Sequence, residues 1–222
     1  MTDRELLDEQ VRYYRARALE YDATSPTDDG PVAEHIAMAR QALRDFAPRG
    51  SVLELAGGTG LWSAVLAESA DELLVTDTSP EMLTINRAKL GDRSNVRYAI
   101  ADAFDPPADA AFDLVFFAAF LSHVPQGRFA DFWAGMRAVL APGGSAYVFD
   151  EADHGLWHED WIDEDAGIVR RTLNDGTSYR AVKILWKPAA LQDRLADLGW
   201  QASIRASGPF YWGPVRPIPA TT

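Results

Sequence analysis

The chain has no cysteine, so disulfides and thiolate metal sites are excluded. Its apolar residues make up 47% of 222, yet no run is long enough to span a bilayer, and no basic-then-apolar leader opens the sequence. A cytoplasmic protein without a membrane partner is expected. Bases are the scarce charge: 21 Lys and Arg stand against 33 Asp and Glu, a formal charge of −12. Those bases are scattered. A nucleic-acid enzyme needs a basic face for phosphates, so RNA and DNA are not expected partners. The surplus of acid reads as a solvated surface. The length suits one sizeable domain, so residues 1–222 are expected to form a single unit.

What the chain does have is a glycine turn after an apolar strand. Val52-Leu53-Glu54-Leu55 runs into Ala56-Gly57-Gly58-Thr59-Gly60, and an apolar segment follows at once. Glycines here let the backbone turn sharply and approach a ligand with no Cβ in the way. Asp77 ends the next strand-like run, Leu73-Leu74-Val75-Thr76. An acid at that tip can accept both hydroxyls of a ribose. Together these features point to a nucleoside-bearing cofactor. A dinucleotide would call for a third glycine inside the following helix, where this chain has Ser63.

The alternation of strand and helix patterns continues down the chain. Helices are expected over 3–21, 32–46, 60–69, 126–140 and 188–198, and from Pro80 behind a Ser79 cap. Strands are expected at Ser51–Leu55, 72–76, 96–100, Phe112–Phe117, 145–149, Tyr179–Trp186 and 200–206. Repeated strand–helix units imply an α/β fold with a parallel, doubly wound sheet. Residues 150–178 break the rhythm and read as an insertion after strand 5; the Pro-rich end, 214–222, reads as frayed.

Several motifs, in order, resemble those of class I S-adenosylmethionine (SAM) methyltransferases. They are Glu54 with the Gly58-Thr59-Gly60 turn, Thr76-Asp77-Thr78-Ser79-Pro80-Glu81-Met82, Ala101-Asp102-Ala103-Phe104, and Leu140-Ala141-Pro142-Gly143-Gly144. Tyr13 to Asp22 resembles the leader segment of small-molecule members. The resemblance implies a seven-stranded Rossmann-like sheet ending in a reversed hairpin made by the last two expected strands. It implies an N-terminal helical lid over 1–47, SAM as cofactor and a small-molecule acceptor, with the 150–178 insertion capping the acceptor.

On that resemblance Ala56, Gly57, Gly58 and Gly60 would hold the cofactor by backbone contact. Asp77 and Thr78 would meet the ribose, Met82 the adenine face, and Asp102 with Ala103 the adenine edge. Tyr14, Arg17 and Tyr21 would close over the methionine end, Arg17 against its carboxylate, and Phe117 would lie near the sulfonium. His123 and His154, each just past a strand end, are the candidate bases, because histidine titrates near neutrality. Trp157 and Trp161 are candidates for stacking on the acceptor. Asp150, Glu151, Asp153, His154 and His158 offer oxygen and nitrogen ligands, but the stretch after strand 4, Phe116 to Phe120, carries no acid to complete a divalent site, so no metal is expected. Histidines near the methyl group favour an oxygen acceptor, a sugar, alcohol or phenol hydroxyl, over an amine. A NAD-linked oxidoreductase and a non-catalytic SAM-binding protein are the alternatives from other classes.

Overall fold

A computed structural model describes residues 2–25, 30–152 and 159–219. Four parallel strands form its centre: β1 (Ser51–Leu55), β2 (Glu72–Asp77), β3 (Val96–Ile100) and β4 (Phe112–Ala118). Strand β5 (Leu140–Glu151) continues the parallel set beside β4, giving the order β5-β4-β1-β2-β3. β1 and β4 are apolar along nearly their whole length because both faces of a parallel sheet are covered. Alternate residues serve opposite faces. Leu53, Leu55, Val115 and Phe117 enter one core with Trp133 and Leu191, while Val52, Leu114 and Phe116 enter the other with Leu43 and Leu66. Each fully buried side chain of this size contributes about 1.5–3 kcal/mol.

Helices α1 (Asp3–Arg17), α2 (Tyr21–Thr24) and α3 (Ala33–Phe46) precede β1. Helices α4 (Ser63–Leu66), α5 (Pro80–Leu90), α6 (Phe129–Val139) and α7 (Pro188–Asp197) follow within the sheet's windings. The Ser79 side chain caps α5 by accepting from the Met82 N–H, with Pro80 opening the first turn. Three expected helices are shorter than their patterns: the one expected over 3–21 ends at Arg17. Only Ser63–Leu66 is regular α-helix in the 60–69 stretch, and α6 begins after a 3-10 turn at Gln126–Arg128.

The C-terminal third differs most from expectation. Tyr179–Trp186 does not join the main sheet. Its first part, β8 (Ser178–Val182), belongs to a separate antiparallel sheet with β6 (Trp161–Asp163) and β7 (Ile168–Thr172). The reversed hairpin is made one element later. β11 (Phe210–Pro217) runs antiparallel to β5, and along its other edge lie β9 (Trp200–Ala202) and β10 (Arg205–Ser207). Ala202 faces Val215 and Arg205 faces Trp212, so the two short pieces share one register and fill one strand position. Residues 214–217, expected to fray, are therefore part of an internal strand. With that position counted once, the sheet is the seven-stranded, doubly wound α/β arrangement.

The small sheet and α1 are packed on each other. Leu6 clusters with Val182 and Ile184, Glu9 pairs with Arg180 at 2.6 Å, and the Val182 N–H donates to Gln10 Oε1 at 2.9 Å. Helix α1 and the β6–β8 sheet thus pack as one layer, with α1 lying at the carboxyl ends of the parallel strands.

Candidate functional site

Two adjoining clefts open at that edge of the sheet. The larger, about 870 Å³ with the open solvent at its mouth included, is lined by Asp77, Thr78 and Met82 behind β2, by Asp102 and Ala103 behind β3, and by Tyr14, Tyr21 and His123. Leu7, Val11, Phe104 and Phe120 supply its apolar wall. The smaller, about 660 Å³, takes Glu54, Gly57, Thr59, Trp62, Phe149 and Glu151. Ala56, Gly58, Tyr21, Ala118 and Ala119 border both.

The glycine turn is shaped by its own backbone demands. Gly58 has φ +52, and a Cβ built there would find only the Ala56 carbonyl, at 3.9 Å. The space beside it is the cleft itself. Gly57 and Gly60 serve packing: a Cβ on Gly57 would meet Val75 at 2.5 Å, and one on Gly60 would meet Asn86 at 2.9 Å. Gly60 lines neither cleft. Ala56 and Ala119 adopt φ +49 and +48, a region that costs a non-glycine residue about 1–2 kcal/mol.

Beneath the turn lies a buried polar network. Ser63 Oγ donates to Glu54 Oε2 at 2.5 Å, and Asn86 Nδ2 donates to Ser63 Oγ at 2.8 Å and to the carbonyls of Gly57 and Gly58, each at 3.3 Å. Burial, with a smaller push from the Asp77 charge, raises the Glu54 carboxyl to about 8. Asp77 accepts from the Gly58 N–H at 3.0 Å and the Ser79 N–H at 2.8 Å, one bond per oxygen. Burial outweighs those bonds and holds its pKa above the usual carboxylate value. Asp102 Oδ1 takes the Phe104 N–H at 2.9 Å.

Helix α2 closes over the turn through a residue with no role assigned from sequence. Asp22 accepts from Thr59 Oγ1 at 2.6 Å and pairs with Lys89 at 2.6 Å. Its signal was the Tyr21-Asp22 pair ending the leader resemblance. Arg17 stays among the amino-terminal helices. Its guanidinium stacks on Tyr21 at 4.7 Å and bonds Thr24 Oγ1 at 2.9 Å and Ser25 Oγ at 3.3 Å, and it lines neither cleft.

His123 lies in the 3-10 turn Leu121–His123 after β4 and is 6% exposed. Its Nδ1 lies 2.6 Å from the Val182 carbonyl, which can only accept, so that nitrogen carries the proton. Nε2 is then a bare lone pair, and the Tyr14 hydroxyl, 2.7 Å away, is its donor. Burial first, then the charge of Lys183, keeps the ring's pKa well below 6.5, so it is neutral at physiological pH.

Other expected residues stand away from both clefts. Phe117 does not reach either cleft; its ring is fully buried against Phe132 and Trp133, and Ala118 and Ala119 border the space instead. Trp161 opens β6 opposite Val169 and lines neither cleft. His154 and Trp157 lie outside the described residues. Of the clustered acids, Asp150 accepts the Ser122 and Glu151 N–H groups and Glu151 pairs with the buried Lys183. Among the described residues no group of three or more potential metal ligands converges. Gln10, missed in the sequence, is a buried amide on α1 bonded to Val182 and His123; its signal was its place one turn before Tyr14.

A methyltransferase-domain family model matches residues 52–144. The fold superposes on DhpI with a TM-score of 0.86 in its complex with S-adenosylhomocysteine, at 39% identity over 98% of this chain and 100% of that one. The DhpI–SAM–HEP complex gives 0.84 at 40% identity, with the same coverage. A demethylmenaquinone methyltransferase of Clavibacter sepedonicus is 37% identical over 44% of this chain, and the C-methyltransferase UbiE of Cupriavidus pinatubonensis is 31% identical over 62%. The alignments span 39% and 58% of those two relatives' own lengths. With a relative 39% identical and aligned nearly end to end, and with a methyltransferase-domain model matched across the glycine turn, the chain belongs to the class I S-adenosylmethionine-dependent methyltransferases.

Proposed function

We propose that residues 1–222 act as one catalytic domain that methylates a hydroxyl oxygen of a small-molecule acceptor, with His123 as the base. The supporting observation is the neutral His123 ring, its tautomer fixed by Val182 and its Nε2 lone pair held at the wall of the larger cleft. Bound SAM supplies an electrophilic methyl group.

The chain's own residues fit that cofactor. Gly58 leaves space where a side chain would intrude, and Asp77 keeps unused lone pairs on both oxygens for ribose hydroxyls. Met82, Asp102 and Ala103 flank the same cleft and suit adenine. Tyr21, Ala56 and Thr78 complete the wall. Helix α1, packed on the β6–β8 sheet, lines one wall of the cleft. Leu7, Val11, Phe104 and Phe120 offer an acceptor pocket too apolar for a phosphate backbone. A low pKa does not disqualify His123. As the acceptor oxygen bonds to the methyl carbon its proton becomes strongly acidic, so a weak base suffices if it is aligned.

Carbon methylation is the second reading, favoured by the curated relatives named above. An activated ring carbon must also lose a proton, so His123 would serve it as well. A panel of phenols, saccharides, carboxylates, amines and hydroquinones with isotope-labelled SAM, read by NMR, decides between them. A methyl ether product supports the proposal. A new carbon–carbon bond, or transfer only to amines, overturns it. His123→Ala should lower kcat by about 10²- to 10⁴-fold with SAM affinity kept.

A further inference from the structure

We infer that the Tyr14 hydroxyl, rather than the imidazole itself, meets the acceptor and relays its proton to His123. This rests on the reading of His123 as the base and deepens it.

The direction of the hydrogen bonds carries the argument. Val182 O fixes the proton on Nδ1, which leaves Nε2 only the role of acceptor, so Tyr14 must donate at 2.7 Å. Among the described residues the Tyr14 hydroxyl has this one partner, and its oxygen retains lone pairs on a side chain that lines the cleft. His123 borders the same cleft, but its Nε2 is already engaged by that hydroxyl. An acceptor reaching Nε2 directly would have to displace the phenol, whereas one donating to the phenol oxygen displaces nothing.

The geometry is built. Tyr14 packs edge-on to His123 at 5.4 Å and to Tyr13 at 4.9 Å. One turn earlier on α1, Gln10 donates to the His123 carbonyl at 3.3 Å and accepts from the Val182 N–H at 2.9 Å. Gln10 is thus a positioning residue: it ties the helix carrying the phenol to the strand and turn carrying the imidazole. Burial also raises the Tyr14 pKa, so the phenol stays protonated until a proton arrives from the other side. With α1 lifted away the phenol and the clamp leave together, so the relay exists only under a closed lid.

The step balances. The acceptor oxygen bonds to the methyl carbon as the carbon–sulfur bond breaks with its electron pair left on sulfur. The acceptor's proton passes to Tyr14 Oη while the phenolic proton passes to His123 Nε2. The result is a methyl ether, S-adenosylhomocysteine, a neutral tyrosine and an imidazolium, which returns its proton by the same route once product leaves.

Tyr14→Phe keeps both ring contacts and removes only the hydroxyl. Its kcat should fall at least tenfold while calorimetric SAM affinity stays within threefold. In the unaltered enzyme a proton inventory in mixed light and heavy water should bow, showing two protons in flight, and this readout needs no variant. A linear inventory, or a Tyr14→Phe kcat within threefold of the parent, overturns the relay. So does a loss of SAM affinity beyond tenfold, which would make Tyr14 a cofactor ligand. If Tyr14→Phe stays active while His123→Ala does not, the relay fails and the base assignment stands. If both stay active, the base assignment fails too.

Discussion

Asp77→Asn tests where the ribose sits and separates binding from folding. The carboxylate accepts one backbone N–H on each oxygen, at 3.0 Å from Gly58 and 2.8 Å from Ser79, and lines the larger cleft. An amide of the same size turns one acceptor into a donor. Hydrogen bonds to a charged group contribute about 1.5–3 kcal/mol each, so losing one ribose bond and weakening the other should cost about 2–4 kcal/mol. That is roughly a 30- to 700-fold rise in the SAM Kd. Stability should respond differently. Burial holds the Asp77 carboxyl above its usual range, so the cofactor-free protein is destabilised by that charge. The neutral amide removes the cost but loses one backbone bond, and the two effects offset, leaving Tm within about 4 °C of the parent. The ionised form is the one that accepts ribose hydroxyls, so SAM affinity should weaken as pH falls, starting above the range of a free aspartate. Titration calorimetry and thermal melts read both quantities. A folded variant that binds SAM as tightly as the parent would refute the ribose assignment.

The sheet's centre was legible because parallel strands buried on both faces carry largely apolar runs, and β1 and β4 do so between Gly and Pro boundaries, interrupted only by Glu54 and Asp113. The start of α5 was legible because Ser79 and Pro80 act locally. The hairpin was not. Tyr179–Trp186 has a strand pattern, but its partner is the neighbouring β7, which lies in the 150–178 stretch that shows no clean periodicity, and Leu6 of α1 gives it an apolar neighbour. Pro214 made the end of the chain look frayed, since proline cannot donate to a ladder. It sits beside the break between β9 and β10, where its carbonyl still accepts the Ser203 N–H at 2.9 Å.

In the site, residues whose backbone makes the turn were readable, and so were acids at strand tips. Side chains whose role depends on direction were not. Phe117 points into the core because strand residues alternate faces, which leaves Ala118 and Ala119 to border the cleft. The buried face of α1 carries Leu6, Gln10 and Tyr13, and its cleft-lining residues include Leu7, Val11 and Tyr14. A glutamine on a helix ordinarily reads as solvated. Gln10 acquires its meaning from Val182, 172 residues further on.

Gly58→Val should fold, because a Cβ there meets no protein atom closer than 3.9 Å and the positive φ costs about 1–2 kcal/mol. Its isopropyl group would fill the cleft, so calorimetry should detect no SAM binding; retained binding would remove the turn from the cofactor site. Activity should survive dialysis against EDTA, and a loss restored by magnesium would show that the acids after β5 hold a catalytic ion. Glu54→Gln should change the pH dependence of stability rather than the fold. Burial raises the Glu54 carboxyl from 4.5 to about 8, so between those values the folded protein holds a proton that the unfolded chain has lost. Stability of the parent must therefore fall as pH rises through that window and stay reduced above it. Glutamine cannot ionise and keeps one oxygen for the Ser63 hydroxyl. Urea midpoints measured at about pH 6 and about pH 9 should show the variant gaining on the parent at the higher pH. Midpoints that move in parallel for the two proteins would mean that Glu54 is charged throughout, and that the network under the glycine turn supports an anion and not a buried neutral acid.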